Sequence, residues 1–228
     1  MLHRLGYSVR SHGNGSTVEA VDIAADVKTL LDKPAAPLLF DVGANEGQTI
    51  LEMLRTFPSA SIHSFEPSPR TFEQLGKQFG SRPNIKLYNL ALGDEAGQMP
   101  FTVFNDWSVN DSLLKPAWSS PANSVTVSVA TLDQFCEQQS IEGIDWLKID
   151  TQGYDLRVLR GAQSLLTSGR IRLVSAEAIF NRMYDGQPSL CDLLQFMAGC
   201  NYRVNGFYEQ EYISNKLSYC NVLWAHGI

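Results

Sequence analysis

The stretch that decides how this chain folds is Leu38-Leu39-Phe40-Asp41-Val42-Gly43-Ala44-Asn45-Glu46-Gly47-Gln48-Thr49. Its apolar start predicts a buried strand, its glycines predict a tight turn, and the apolar spacing of residues 48–57 predicts a helix. Glycines let a ligand approach the backbone, and the first turn of a helix presents N–H groups without intrahelical partners. A strand, a glycine turn and a helix in this order predict a site for a nucleotide-type cofactor.

The charge of this turn indicates which cofactor it binds. A dinucleotide site places a pyrophosphate at the helix start with Gly-x-Gly-x-x-Gly, but here three residues separate Gly43 from Gly47, and Asp41 ends the strand. A carboxylate there repels a pyrophosphate and attracts the ammonium and sulfonium groups of S-adenosylmethionine. Glu66 ends the next predicted strand. It follows the glycine turn at the ~20-residue spacing that lets an acid reach ribose hydroxyls. The alternative is that the glycines form a simple turn.

Length and charge limit the classes of protein to consider. With 228 residues, 44% of them hydrophobic, the chain suits one α/β domain with a full core. A net charge of −6 and the lack of a Lys/Arg run argue against a nucleic-acid partner. No apolar run reaches the ~18 residues that would span a bilayer. The first six residues lack the apolar core of a secretory signal. We therefore expect a cytoplasmic protein.

Cysteines and histidines show no metal-ligand spacing. No Cys-x-x-Cys pair is present, and the cysteines lie in apolar or helical contexts that predict free core thiols. The residues concerned are Cys136, Cys191, Cys200, Cys220, His3, His12, His63 and His226. We predict no metal site.

The order of elements predicts a doubly wound sheet. An amphipathic helix is expected from Thr17, as its N-cap, to the region of Pro34. Strands and helices then alternate through residue 90, as in a parallel α/β sheet. This divides the chain into a leader and helix (1–34) and a cofactor-binding domain (35–228). The leader and helix are candidates for covering the cleft or for mediating homo-oligomer formation.

The second half of the chain is expected to complete this sheet. Residues 98–105 and 124–129 alternate like an antiparallel pair beyond the main sheet. Strands at 144–149 and 171–176 flank a helix at 156–166, another helix covers 190–197, and 202–207 pairs with 217–224. The polar loop 106–123 is long enough to be a lid, or else a disordered insertion. Its Trp107 and Trp118, with Phe180 and Tyr184, are candidates for the floor of an acceptor site.

Four acids are predicted to end strands: Asp41, Glu66, Asp150 and Glu177. The carboxyl ends of the strands in an open α/β sheet face the ligand crevice, so these acids are expected around one cleft. The alternative is that each caps the following helix, a role that favours Asp over Glu. Lys148, two residues before Asp150, is expected to pair with a neighbouring acid.

Several ordered motifs resemble the FkbM family of S-adenosylmethionine-dependent methyltransferases. They are Asp41 to Thr49, Phe65-Glu66-Pro67-Ser68-Pro69, Asn89-Leu90-Ala91-Leu92-Gly93-Asp94, Thr131-Leu132-Asp133, and Leu147 to Asp155 with Val158-Leu159-Arg160-Gly161-Ala162. The resemblance covers about 38–177. Where the family usually has Glu, this chain has Gln152 and Asp155.

The resemblance implies a fold, a cofactor and a set of site residues. The fold is the class I methyltransferase fold: α/β, Rossmann-like, a three-layer sandwich with a mostly parallel sheet and an antiparallel C-terminal strand. Asp41, Gly43 and Asn45 would line the methionine end of S-adenosyl-L-methionine, Glu66 would hold the ribose, and Ala91 with Leu92 would lie along the adenine. Asp150 would lie near the sulfonium. Ala44 and Pro67 complete the cofactor-binding set.

The reaction implied is methyl transfer to a hydroxyl of a sugar, a glycan or a secondary metabolite. The acceptor hydroxyl must lose its proton, and a general base typically contributes ~10²–10⁴-fold. Asp150 is the candidate base, with Glu177 as its partner or replacement. A divalent cation bridging the two is conceivable, but no third protein ligand can be identified. The alternatives are a nicotinamide-dependent oxidoreductase and a non-catalytic module that retains the fold.

Overall fold

The computed structural model describes residues 22–32, 35–104, 111–117 and 123–227. The strands are β1 (Leu38–Val42), β2 (Ser61–Phe65), β3 (Ile85–Tyr88), β4 (Ala91–Leu92), β5 (Gly97–Val103), β6 (Asn123–Ala130), β7 (Ile144–Ile149), β8 (Ile171–Ile179), β9 (Tyr202–Ile213) and β10 (Lys216–His226). The helices are α1 (Ile23–Leu30), α2 (Gln48–Thr56), α3 (Pro69–Phe79), α4 (Leu132–Gln138), α5 (Asp155–Arg160), α6 (Gln163–Thr167) and α7 (Leu190–Gly199).

A seven-stranded sheet forms the centre of the fold, in the order β3-β2-β1-β7-β8-β10-β9. The first five strands are parallel, and β10 runs antiparallel to both β8 and β9. The order reverses between β1 and β7, which is where open α/β sheets bind their ligands. The predicted α/β fold, with a mostly parallel sheet and antiparallel C-terminal strands, is confirmed.

Helices cover both faces of this sheet. The face toward α1, α2 and α3 buries side chains such as Leu39, Trp146 and Leu223, and the face toward α4–α7 buries Phe40 and Leu147. Successive residues of β1 and β7 thus enter opposite cores, as the period of a strand requires. Each fully buried apolar side chain stabilises the fold by ~1.5–3 kcal/mol. The three layers of the expected sandwich are therefore present.

A second sheet extends beyond the main one, in the order β4-β6-β5. The predicted antiparallel pair is confirmed as β5 and β6. The sequence pattern did not predict β4, whose two residues pair parallel to β6. A two-residue strand is too short for a periodic signal.

Two sequence predictions about the second half are wrong. The helix expected at 156–166 is broken into α5 and α6. Both oxygens of Asp133 accept hydrogen bonds from the first turn of α6, at 2.8 Å from Ser164 N and 3.0 Å from Leu165 N. A carboxylate that caps a new helix start stabilises the break. Glu177 does not end a strand, because β8 continues through it to Ile179. The sequence analysis also missed α4.

The described N-terminal part begins with α1, which is capped by Asp22. Thr17, the predicted cap, lies outside the described residues. Ile23 and Val27 of α1 join the core against the sheet, and Tyr208 of β9 donates a 2.7 Å hydrogen bond to Asp26. None of the helices in the described ranges has the length and apolarity needed to cross a bilayer.

The four cysteines are free thiols, as expected. Three of them are buried, and Cys191 on α7 is exposed rather than in the core. Burial raises the pKa of the Cys136 thiol to about 12, so this buried cysteine is an inert packing residue.

Candidate active site

The glycine turn between β1 and α2 brings two strand ends into close contact. Gly43 has a φ of 84°, and a Cβ at this position would lie 1.9 Å from the carbonyl oxygen of Asp150. The N–H groups of Gly43 and Ala44 both donate to the Phe65 carbonyl at 3.0 Å. Gly47, with a φ of 88°, is the N-cap of α2. Any side chain at position 43 would separate β1 from β7, so the glycine is required by packing.

A cleft of about 950 Å³, counted to its open mouth, lies against this turn. The cleft is lined by residues of the turn, of the ends of β1, β2 and β7, and of the second sheet: Val42, Gly43, Ala44, Asn45, Gln48, Thr49, Phe65, Glu66, Pro67, Leu90, Ala91, Leu92, Phe101, Asp111, Leu113, Lys148, Asp150, Thr151, Gln152 and Tyr154. Of the proposed cofactor residues, Asp41 is absent from this wall.

Glu66 lies in the cleft with its carboxylate held in one orientation. One oxygen accepts a 2.8 Å hydrogen bond from Asn45 N, and the other accepts a 2.8 Å hydrogen bond from Ser68 N. Each oxygen keeps a second lone pair. Burial raises the pKa of Glu66 to about 7, although these two bonds oppose the shift. Glu66 is therefore an oriented acceptor for paired hydroxyl groups.

Asp41 lies behind the cleft, as part of an ion-pair chain. Its side chain is fully buried, and Oδ1 is 3.3 Å from Lys148 Nζ, which in turn is 3.6 Å from Oδ2 of Asp150. Burial raises the pKa of Asp41, and the Lys148 ammonium opposes that shift. Burial alone would lower the pKa of Lys148, but the two carboxylates outweigh it and raise it. The predicted pairing of Lys148 is confirmed. Asp41 can act on a ligand only through Lys148.

The sequence analysis missed Asp111, an acid that lines the cleft. Its Oδ1 accepts a 2.8 Å hydrogen bond from Phe104 N. Burial raises the pKa of Asp111 to about 6. Asp111 belongs to the polar loop 106–123, where no periodicity marks one acid over another. Only the fold brings it to the same cleft as Glu66.

The other end of the cleft contains a group of polar side chains centred on Gln152. Its Nε2 donates to Asp150 Oδ1 at 3.0 Å and to Glu177 Oε2 at 3.4 Å, and its Oε1 accepts from the Tyr184 hydroxyl at 3.2 Å. The fully buried Asp155 accepts hydrogen bonds from Thr151 Oγ1 at 3.1 Å and from Glu177 N at 3.3 Å. Glu177 is thus brought to Asp150, although it does not line the cleft.

Burial and like charge dominate this polar group. Burial raises the pKa of Glu177 well above its usual range, and the nearby Asp150 and Asp155 raise it further. Burial also raises the pKa of Asp155 to about 6. Neighbouring acids in different environments can divide the acid and base roles of a reaction.

The aromatic candidates for an acceptor floor are dispersed. Tyr184 is buried and in contact with Gln152, and Phe180 is 43% exposed. Trp107 and Trp118 lie outside the described residues. Phe65 is fully buried and also contributes to the wall of the cleft.

The fold and the cleft define the class of protein. A reversal in strand order, a glycine turn at that point, and an oriented acid at the end of the second strand characterise class I methyltransferases. A solved structure with the same fold is magnesium protoporphyrin IX methyltransferase (ChlM) from Synechocystis PCC 6803 with bound SAM, at a TM-score of 0.50. It shares 9% identity, and the match covers 95% of this chain and 88% of that chain.

The family follows from the sequence match. The methyltransferase FkbM domain matches residues 41–204, and the chain belongs to this methyltransferase family. The chain is 25% identical over 200 residues to 2-O-methyltransferase NoeI of Sinorhizobium fredii, covering 82% of this chain and 81% of that protein. It is also 25% identical over 195 residues to 31-O-demethyl-FK506 methyltransferase FkbM of Streptomyces tacrolimicus, covering 73% of each. This membership overturns the nicotinamide-dependent alternative.

The cleft fits S-adenosyl-L-methionine. Glu66 presents free lone pairs suited to a ribose diol, and the wall around Leu90, Ala91 and Leu92 is apolar, as an adenine requires. Asn45 and the Gly43 turn offer a polar surface to the amino-acid part. Within the described part of the chain, no group of three or more His, Cys, Asp or Glu side chains could hold a metal ion.

Proposed function

We propose that this enzyme transfers a methyl group from S-adenosylmethionine to a hydroxyl of a sugar, a glycan or a secondary metabolite. The observation that carries the proposal is one continuous cleft that runs from the oriented carboxylate of Glu66 to the carboxylate of Asp150. The two relatives named above act at oxygen positions according to their names, 2-O and 31-O, which favours a hydroxyl acceptor. The cofactor supplies an electrophilic methyl group on a cationic sulfur.

In this proposal the two ends of the cleft perform different tasks. Glu66 holds the cofactor through its ribose, and the apolar wall excludes water from the adenine. Asp150 would accept the proton that the acceptor hydroxyl loses on methylation, with S-adenosylhomocysteine as the other product. The Lys148 ammonium, 3.6 Å away, orients this carboxylate and balances the charge that Asp41 buries. Holding both reactants in line is worth an effective molarity of ~10⁵–10⁸ M.

Glu177 has a supporting place in this proposal. Its raised pKa keeps it protonated at a pH where other glutamates are ionised, so it is a poor base and a suitable hydrogen-bond donor. Asp150 is the first choice for the base because it lines the cleft and Glu177 does not.

Turnover with a panel of acceptors tests the proposal. The enzyme is incubated with methyl-labelled S-adenosylmethionine and free sugars, uronic acids, oligosaccharides or polyketide alcohols, and label transfer to oxygen is followed. We expect transfer to at least one hydroxyl class, and an Asp150→Asn variant that keeps its affinity for S-adenosylhomocysteine and loses ~10²–10⁴-fold in kcat. Transfer to nitrogen or carbon acceptors only, or full activity in Asp150→Asn, would overturn it.

A further inference from the structure

The turn that carries Gln152 is held in a conformation that its own residues do not favour. Gln152 has a φ of 52°, in the left-handed region that non-glycine residues rarely adopt. The hydroxyl of the buried Ser112 donates to the Gln152 carbonyl at 2.9 Å and accepts from Leu114 N at 3.0 Å. Gly153 lies against the side chains of Gln187 and Tyr184. Unfavourable backbone conformations persist where the surroundings impose them, often at functional sites.

The Gln152 amide has one orientation that satisfies all its neighbours. Carboxylates accept hydrogen bonds, so the NH₂ end faces Asp150 and Glu177, at 3.0 and 3.4 Å. The carbonyl end then faces the Tyr184 hydroxyl, which donates to it at 3.2 Å. A rotated amide would place its oxygen against the Asp150 carboxylate, which has no hydrogen to donate. Tyr184 and the two acids therefore fix the amide between them.

Tyr184 is itself fixed by the loop 180–187. Its N–H and that of Met183 both donate to Gln187 Oε1 at 2.8 Å. A β-bridge joins Tyr184 to Pro116, and Ala117 N donates to the Met183 carbonyl at 2.8 Å. The loop 180–187 and the segment 111–117 therefore form one supporting wall around Gln152.

We infer that Gln152 is the positioning residue at the Asp150 end of the cleft, here called the acceptor end: Tyr184 sets the orientation of its amide, and the amide aligns the Asp150 carboxylate toward the acceptor hydroxyl and links it to Glu177, which does not line the cleft. An amide neither takes nor gives a proton in the working pH range, so Gln152 aligns these groups without competing for the transferred proton. The inference rests on the proposed function for the identity of the acceptor hydroxyl. The hydrogen bonds that run from Tyr184 through Gln152 to Asp150 and Glu177, here called the relay, do not depend on the proposed function.

Side-chain carboxyl ¹³C NMR on Asp- and Glu-labelled protein tests the relay directly. Gln152→Met keeps the length of the side chain and removes the amide. We expect the Asp150 carboxyl resonance to shift, and the titration of Glu177 to move to higher pH because it loses a donor to its charged form. Among the described residues, the charged and titratable groups that face Glu177 are Asp150, Asp155, Lys148, Glu209, Tyr184, Tyr219 and Cys220, and all of them remain in this variant.

Tyr184→Phe is the second variant, because it removes only the hydroxyl of the relay. We expect smaller changes in the same direction at both carboxyl groups, and a double variant that matches Gln152→Met alone, because both substitutions break one chain of contacts. The control is the exposed pair in which Tyr212 donates to Gln210 at 3.1 Å on β9. Gln210→Met should leave both resonances unchanged.

Cofactor affinity and turnover separate the relay from general structural damage. In Gln152→Met we expect S-adenosylhomocysteine affinity to stay near wild type, the melting temperature to fall modestly because the buried Tyr184 hydroxyl loses its acceptor, and with a working acceptor kcat to fall ~10–100-fold, as expected for a misplaced catalytic group. Unchanged Asp150 and Glu177 resonances, or additive effects in the double variant, would overturn the inference. A failure of the proposed function would appear instead as absent oxygen methylation by the wild type.

Discussion

The two ends of the cleft are built in different ways. The donor end, which contains the Gly43 turn and Glu66, consists of short turns that directly follow β1 and β2. Glu66 is held there by backbone N–H groups only 2 and 21 residues away. The acceptor end joins the 111–117 segment, the 151–155 turn, β8 and the 180–187 loop, and three of the hydrogen bonds that connect these segments span 25–40 residues. A local turn can be preserved while the acceptor changes, so the donor end is suited to a constant cofactor and the acceptor end to a variable substrate.

The ion-pair chain Asp41–Lys148–Asp150, which connects the two ends, is expected to have the largest effect on stability when it is broken. Lys148→Met leaves the buried Asp41 without its cation, which should destabilise the fold by about 3–5 kcal/mol. Chemical denaturation measures this loss. The exposed Lys77–Glu73 pair, at 2.8 Å, is the control, and Lys77→Met should cause no measurable change. Recovery of most of the stability in Asp41→Asn/Lys148→Met would show that the loss comes from the unpaired charge, and a loss as large as in Lys148→Met would contradict this explanation.

A substitution at Gly43 tests the close contact between the turn after β1 and the end of β7. In Gly43→Ala the new Cβ would lie 1.9 Å from the Asp150 carbonyl oxygen at a φ of 84°, so β1 and β7 must separate. We expect a loss of about 2–4 kcal/mol in the free energy of unfolding, as for other strained substitutions. Thermal and denaturant unfolding check this. In the control Gly76→Ala, inside α3 with open space around it, stability should rise by about 0.5–1 kcal/mol. Equal effects at the two glycines would contradict the account.

Glu66 tests whether the donor end recognises the cofactor. As pH rises through the pKa of Glu66 near 7, its carboxylate ionises, so the affinity for cationic S-adenosylmethionine should increase. Glu66→Gln should lower that affinity ~10-fold, about 1.4 kcal/mol, and should remove this pH dependence. Calorimetric titration from acid to neutral pH measures both. Glu46→Gln, at an exposed position of the same loop, should behave like wild type. A pH dependence that persists in Glu66→Gln would assign it to another group.

His63 lies beneath the donor end, and its expected effect is confined to acid pH. It stacks on Phe40 with ring centroids 4.9 Å apart, and burial lowers its pKa to about 4. The unfolded chain therefore binds an extra proton between about pH 4 and the usual pKa of ~6.5, and this residue makes the folded state less stable as pH falls through that window. His63→Phe should remove this contribution, about 1–3 kcal/mol at pH 4. Denaturation of wild type and His63→Phe at pH 4 and pH 7 measures this. If both proteins lose the same stability between pH 7 and pH 4, the loss does not come from His63.

The contrast between the two ends also explains what the sequence could predict. The donor end was predictable because strand, glycine turn and acid follow one another within local spacing, so Gly43, Asn45 and Glu66 are where the pattern places them. The acceptor end was only partly predictable. Asp150 was expected from its strand end, but no local pattern indicates that Asp111 reaches the cleft or that Gln152 bridges two acids, because both depend on contacts between distant segments.

The sequence correctly predicted acidic residues around the cleft, but not which of them line it or how they are paired. It predicted four acids around the cleft, of which Glu66 and Asp150 line it and Asp41 and Glu177 do not. It predicted that Lys148 would pair with a neighbouring acid but did not identify Asp41 beneath the wall as a partner, because this depends on which side chains of β1 and β7 share a face. Glu177 does not end a strand as predicted, since β8 continues to Ile179, and it approaches Asp150 only through Gln152.

The central claim is that the cleft beside Glu66 binds S-adenosylmethionine, and calorimetric titration with S-adenosylhomocysteine tests it most directly. We predict saturable binding well below ~1 mM, weakened at least ~10-fold by Glu66→Ala and hardly changed by Glu46→Ala. Absence of binding at ~1 mM, or equal binding by the wild type and Glu66→Ala, would contradict the account.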